Sequence, residues 1–253
     1  MACNGEATNT VTAVGPGGPP VVVPTGRAVG VAELTMRNVT STGISASILL
    51  ATSVAQLEQL RQVPGSAGNF GSIQLQLLAT GQFTDSVPGG AKTRFLRATF
   101  GVRNARSDSV LFDRARENLS FVALRTTATI ANTSVRSFLR SDGSPASAAI
   151  ASSVVPTVLS AVGGDGAVIP LDSTNLRNLS DTELKQIAVP AGASGLMPFA
   201  FVVRRAPTSG NASQLDGIVT FAFRFPEQGL QNDPSTISVL FVLVDTSSVS
   251  STP

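Results

Sequence analysis

A period of two governs this chain more firmly than any other feature. In Ile73-Gln74-Leu75-Gln76-Leu77 apolar and polar side chains alternate cleanly. From Arg94 to Arg103, Leu96, Ala98, Phe100 and Val102 face one way while Arg97, Thr99 and Arg103 face the other. Gly217 to Phe225 sets Val219, Phe221, Phe223 and Phe225 against Ile218, Thr220, Ala222 and Arg224. Successive side chains of a strand point to opposite sides of its sheet, so each run reads as a strand with one face against a core. Glu33 to Thr40 (Leu34, Met36 and Asn38 on one face), Leu119 to Thr126, Ser134 to Leu139, Phe199 to Arg204 and Ser235 to Thr246 read the same way. Polar turn clusters separate them at residues 104–109, 132–133, 141–144, 207–211 and 231–234. Ile237 to Val244 is apolar throughout, too short to cross a membrane as a helix, and reads as a buried strand.

Helix signals are few. Ser53 with Gln56 forms a capping-box pattern ahead of Val54, Leu57 and Leu60, with Pro64 as the stop, and Ser180 with Glu183 caps one short turn before Pro190. Strands at intervals of roughly ten residues without βαβ alternation predict an all-β, antiparallel β-sandwich, immunoglobulin-like or jelly-roll-like, with one or two short helices. Residues 31–253 are expected to form a single large sandwich, since no repeat aligns 94–126 with 199–225.

Residues 1–30 form an extended N-terminal arm. Gly15-Pro16-Gly17-Gly18-Pro19-Pro20 breaks regular pairing, yet Thr10-Val11-Thr12-Ala13-Val14 before it and Val21-Val22-Val23 after it are strand formers. Both blocks are candidates for an inter-subunit strand, added to the sheet of a neighbouring copy. Cys3, the chain's one cysteine, follows Met1-Ala2 and precedes this tether. The arrangement matches the end of a bacterial lipobox, which makes Cys3 a lipidation candidate. No apolar signal region precedes it, so a signal would already have been removed.

Composition closes most catalytic classes. The chain contains no His, Trp or Tyr. Without His, Ser-His-Asp and Cys-His chemistry is closed and the commonest transition-metal ligand is missing. Lys92 and Lys185 are the only lysines, and neither lies in a Ser-x-x-Lys spacing. Asp245-Thr246-Ser247 resembles the Asp-Thr-Gly/Ser loop of aspartic proteases, with Asp172-Ser173-Thr174 as its imaginable partner, but a strand ending in a polar turn explains it more simply. Gly163-Gly164-Asp165-Gly166 and Ser141-Asp142-Gly143 are lone Asp-Gly turns rather than a calcium array. The sequons at Asn38, Asn118, Asn132, Asn178 and Asn211 arise by chance in a chain rich in Ser and Thr. No metal, cofactor or catalytic residue is expected.

Charged residues make up 13% of the chain, against about 25% in ordinary soluble domains. Its polar surface therefore comes from Ser, Thr, Asn and Gln, as on extracellular β proteins and assembled surface layers. The net charge of +2 is spread over single Arg residues such as Arg94, Arg97 and Arg103, with Arg204-Arg205 the one pair, so no nucleic-acid partner is expected.

Two stretches carry a family likeness. Asn118-Leu119-Ser120-Phe121-Val122-Ala123-Leu124, running on through residues 129–138, resembles immunoglobulin-like segments of bacterial surface lipoproteins. Phe199 to Arg204 with Asp216 to Phe223 is similar to later strands of the same proteins. The resemblance covers about half of the chain by sequence pattern. It implies a sandwich fold and an extracellular, bacterial cell-surface location, and no catalytic residue. The expectation is a self-assembling structural protein, a filament or pilus subunit using the arm as a donor strand, or an envelope lipoprotein anchored at the membrane surface. A monomeric binding or adhesion domain and a capsid-like jelly roll remain the alternatives.

Overall fold

A computed structural model describes residues 27–39, 43–62, 73–85, 92–104, 119–126, 135–157, 159–162, 168–170, 176–205, 217–229 and 233–245. The arm candidates Cys3, Thr10 to Val14 and Val21 to Val23 lie outside the described residues, as do Asp172, Asp165, Asn118, Asn132 and Asn211.

Within those residues the chain is an antiparallel β-sandwich. One sheet holds β1 (Arg27–Arg37), β2 (Ser45–Ala51), β5 (Leu119–Thr126), β6 (Val135–Leu139), β10 (Leu176–Asn178), β11 (Ala193–Val202) and β14 (Thr236–Asp245). Its order is β10-β11-β5-β14-β1-β2, with β6 also pairing β14. The second sheet holds β3 (Ile73–Asp85), β4 (Thr93–Asn104), β7 (Val155–Pro156), β12 (Arg204–Arg205) and β13 (Gly217–Pro226). Its order is β12-β13-β4-β3, with β7 on β13. A separate hairpin of β8 (Leu159–Val162) and β9 (Val168–Pro170) lies against β3 and β4 through β8.

The alternating positions read from the sequence meet between the sheets. Ala32, Leu34, Met36, Phe121, Phe201, Ile237, Val239, Phe241 and Leu243 from the first sheet pack on Leu96, Ala98, Phe100, Val102, Val219, Phe221, Phe223 and Phe225 from the second. The rings interlock edge to face: Phe221 lies 5.1 Å from Phe121 and 5.3 Å from Phe201, and Phe138 lies 5.7 Å from Phe225. Aromatic quadrupoles favour this geometry over face-to-face stacking.

The uniform apolar run of β14 has a physical cause. Leu240, Val242 and Val244 point away from the main core into a second cluster with Val31, Ala51, Val122, Leu124 and Ala200. Helix α1 (Val54–Arg61) covers that outer face through Val54 and Leu57, and Ile187 joins it after helix α3 (Asp181–Lys185). A strand buried on both faces has no reason to alternate.

Several expectations are corrected. The first strand starts at Arg27, inside the range assigned to the arm, and stops at Arg37. Asn38 is not on a strand face: its φ of 58° turns the chain out of the sheet. The strand expected over Phe199 to Arg204 is two strands, β11 and β12, and the chain changes sheet at Val203, whose N–H donates to the Leu119 carbonyl at 2.9 Å. A third helix, α2 (Ala148–Ser152), joins the two foreseen. The turn at 141–144 is present: Gly143, at φ 81°, lets the Ser144 N–H donate to Asp142 Oδ1 at 2.8 Å.

The two capping signals differ in outcome. Ser53 caps α1 by accepting from the Gln56 N–H at 3.2 Å, but Gln56 Oε1 takes its own bond from the Thr52 N–H at 2.7 Å rather than from Ser53. Ser180 and Glu183 form the full reciprocal box on α3. The Ser180 backbone N–H, the Ser180 hydroxyl and the Arg177 charge hold the Glu183 carboxyl below the usual glutamate range. A depressed folded pKa contributes stability above the unfolded value and loses it as pH falls through the folded one. Below about pH 4, therefore, α3 amides are expected to exchange faster than those of α1, and Ser180→Ala, at a cost of about 1 kcal/mol, should produce the same loosening at neutral pH. Hydrogen exchange read by NMR checks both.

Candidate functional site

The site with most to say about function is an edge. β3 is the outermost strand of its sheet, 13 residues long, and among the described residues only β4 pairs with it. The other edges are shorter: β2 has 7 residues, β10 has 3, and β12 and β7 have 2 each. Protein edges are ordinarily defended by Lys, Pro, inward charges or brevity, because their open N–H and C=O groups invite another strand. β3 reads Ile-Gln-Leu-Gln-Leu-Leu-Ala-Thr-Gly-Gln-Phe-Thr-Asp, with no Lys, no Pro, and a single charge at its last residue. A bulge between Leu77 and Ala79 interrupts it, and the β8–β9 hairpin lies against it through β8.

The period-two reading of Ile73 to Leu77 placed one face of this strand in the core. That face is closed only at its start: Ile73 is buried and Leu75 half-buried, whereas Leu77 is 39% exposed. Leu78, the bulged residue, is 46% exposed. Opposite them, Ala46 and Ile48 of β2 pack on the main core but stay half-buried. At the far end of this side, the Thr80 hydroxyl donates to the Ile44 carbonyl at 3.0 Å and ties the sheets together. An apolar seam between β2 and β3 results.

Two charge clusters were missed by the sequence reading. Arg94, taken as one of several solitary arginines, is buried at the end of the sandwich. Its guanidinium reaches the Val39 carbonyl at 3.0 Å, Glu227 at 2.7 Å and Asp233 at 3.3 Å. The available signal was its phase, two residues before Leu96 and four before Ala98 on the inward face. Glu33 is 2% exposed beneath α1, accepts from the Ser238 hydroxyl, and pairs with Arg61 Nε at 3.1 Å. Arg136 and Glu58 complete that group through their own ion pair. In both clusters carboxylates and guanidinium groups are paired with one another, which suits them to joining elements rather than to acid–base chemistry. Among the described residues no three His, Cys, Asp or Glu side chains gather as metal ligands. Asp245 closes β14, opposite Arg27 of β1 and Leu119 of β5.

The fold thus defines an antiparallel β-sandwich protein whose 13-residue strand β3 pairs, among the described residues, with β4 alone. Set against protein-family models, curated proteins and solved structures, the chain matches none.

Proposed function

We propose that this chain is a non-catalytic structural protein of a bacterial cell surface that assembles with copies of itself by lending its N-terminal arm as a strand. The observation that carries the proposal is the 13-residue strand β3, which among the described residues pairs with β4 alone, with Leu77 and Leu78 exposed on it. Strand addition supplies main-chain hydrogen bonds for affinity and alternate side chains for specificity. The strand-forming blocks Thr10 to Val14 and Val21 to Val23 are suited to supply both. A surface poor in charge and rich in Ser, Thr and Asn supports an assembled, extracellular setting, and Cys3 provides the candidate lipid anchor. The likeness of residues 118–138 to surface lipoproteins points the same way.

Deleting residues 1–24 is expected to abolish assembly while circular dichroism and thermal melting of the β domain stay unchanged. Electron microscopy of the intact protein should show fibres. Truncated protein that still polymerises normally sinks the proposal, and closed shells or monomers from the intact chain favour the capsid-like or binding-domain alternatives.

A further inference from the structure

The chain contains one Asp–Pro peptide, Asp233–Pro234, and the fold buries both of its residues. We propose that this peptide is a conditional scission site: the Arg94 ion pair keeps it closed, and loss of that pair lets the Asp233 carboxyl cut the chain just ahead of β14.

An aspartate followed by proline carries its own nucleophile, already placed by the covalent chain. A side-chain oxygen attacks the Asp233 backbone carbonyl carbon and closes a five-membered ring. The carboxyl proton passes, by way of solvent, to the proline nitrogen. The C–N bond then breaks with its electron pair going to that nitrogen. The products are a cyclic anhydride on Asp233 and a free secondary amine on Pro234. One water opens the anhydride, so the net reaction is hydrolysis of a single peptide bond.

The folded protein denies each requirement. Asp233 Oδ1 accepts from the Gln228 N–H at 2.6 Å and Oδ2 from the Arg94 guanidinium at 3.3 Å, so both candidate nucleophiles are tied to other groups. Backbone bonds fix the two flanks: the Asp233 N–H donates to the Gly229 carbonyl at 2.9 Å and the Ser235 N–H to the Leu139 carbonyl at 2.7 Å. The Asp233 side chain is 0% exposed, which keeps out the water that relays the proton and opens the anhydride.

Among the described residues, the charged groups that face this carboxylate are Arg94 of β4 and, through Arg94, Glu227 after β13. The other elements around Arg94 present uncharged groups, the Val39 carbonyl after β1 and the Gln82 amide oxygen of β3. Gln228 and Asp233 both lie between β13 and β14, whereas Arg94 comes from a different strand. Arg94 is therefore the positioning residue that couples the carboxylate to closure of the sandwich. Without it, Oδ1 stays on the Gln228 N–H and Oδ2 is left untied, and Oδ2 is the oxygen available for attack. The cut has a defined consequence. β14 starts at Thr236 and pairs with β1, β5 and β6, so after scission only hydrogen bonds and packing join it to the strands before it.

The full-length protein and its variants are held at a single pH, the lowest at which circular dichroism still reads every one of them as native. Each is compared with the same chain in guanidinium chloride at that pH, and fragments are followed by mass spectrometry. The denatured wild type is expected to yield fragments 1–233 and 234–253 at least about tenfold faster than the native one, because a buried bond reacts only as often as it opens. Asp233→Asn and Pro234→Ala should yield almost none even when denatured. Among native proteins, Arg94→Met should be cut at least about tenfold faster than wild type, while Phe221→Ala, weakened at the middle of the core, stays closer to the wild-type rate. Arg94→Lys, which keeps the charge but not the fork of donors, takes its place where the methionine variant does not fold. A denatured wild type that is not cut at this bond overturns the inference, as does a native wild type cut as fast as the denatured chain. Arg94 variants as resistant as wild type, or no faster than Phe221→Ala, overturn it as well, since protection would then come from overall stability and not from the ion pair.

Discussion

Phe221→Ala is expected to lower the unfolding free energy by about 3–5 kcal/mol, a large share of the 5–15 kcal/mol typical of a folded domain. Phe221 is fully buried, and its ring meets Phe100 at 5.9 Å, Phe121 at 5.1 Å, Phe201 at 5.3 Å and Phe241 at 5.2 Å. Those partners come from both sheets, so truncation opens a cavity that neither sheet can fill without moving against the other. The midpoint of thermal unfolding should fall by roughly 6–20 °C for a chain of this size. Phe83→Ala is the control: its ring stacks on Phe95 at 4.5 Å but is half-buried on the edge strand, and it should cost less than half as much. Urea denaturation with an unchanged slope reads both losses as stability alone. Equal effects from the two substitutions would place the core elsewhere than between the sheets.

Much of this architecture is visible in individual residues of the sequence. Leu96, Ala98, Phe100 and Val102 announce their inward face by period, and so do Val219, Phe221, Phe223 and Phe225. What the period cannot convey is which strands meet. Leu34 lies opposite Val239 across the whole length of the chain, and no local pattern encodes that pairing. Helix α2 escaped notice because its cap, Ser147, precedes Ile150 where a Glu or Gln would have completed a capping box, and because five residues are too few to show a helical period. Asn38 was assigned to a strand by spacing, but it belongs to the residue types that tolerate positive φ, and the backbone used that tolerance. At the candidate site, the double leucine Leu77-Leu78 was a visible break in period two. Its meaning, a bulge on a strand at the end of its sheet, depended on knowing that among the described residues only β4 pairs with β3.

Arg94→Met should be nearly as damaging as loss of the central ring, at about 3–5 kcal/mol, because the charges it leaves behind are buried. The Arg94 side chain is 7% exposed, and that of Asp233 is 0%. Its guanidinium joins β4 to the Val39 carbonyl after β1 and to Glu227 and Asp233 between β13 and β14, so one residue closes an end of the sandwich. Asp233 is held independently of Arg94, since its Oδ1 accepts from the Gln228 N–H at 2.6 Å and its own N–H donates to the Gly229 carbonyl at 2.9 Å. The Asp233 carboxylate therefore stays in place when the cation is removed, and the loss comes from burying it unpaired and from leaving Glu227 without its cation. Replacing them as well, with Glu227→Gln and Asp233→Asn, should recover a substantial part of the stability, giving a coupling energy of about 1–3 kcal/mol in a double-mutant cycle. The cost of the single substitution should also change little between low and high salt, because buried pairs are weakly screened. A loss below about 1 kcal/mol that vanishes in salt would instead be the behaviour of a surface ion pair, and would remove Arg94 from the elements that hold the two sheets together.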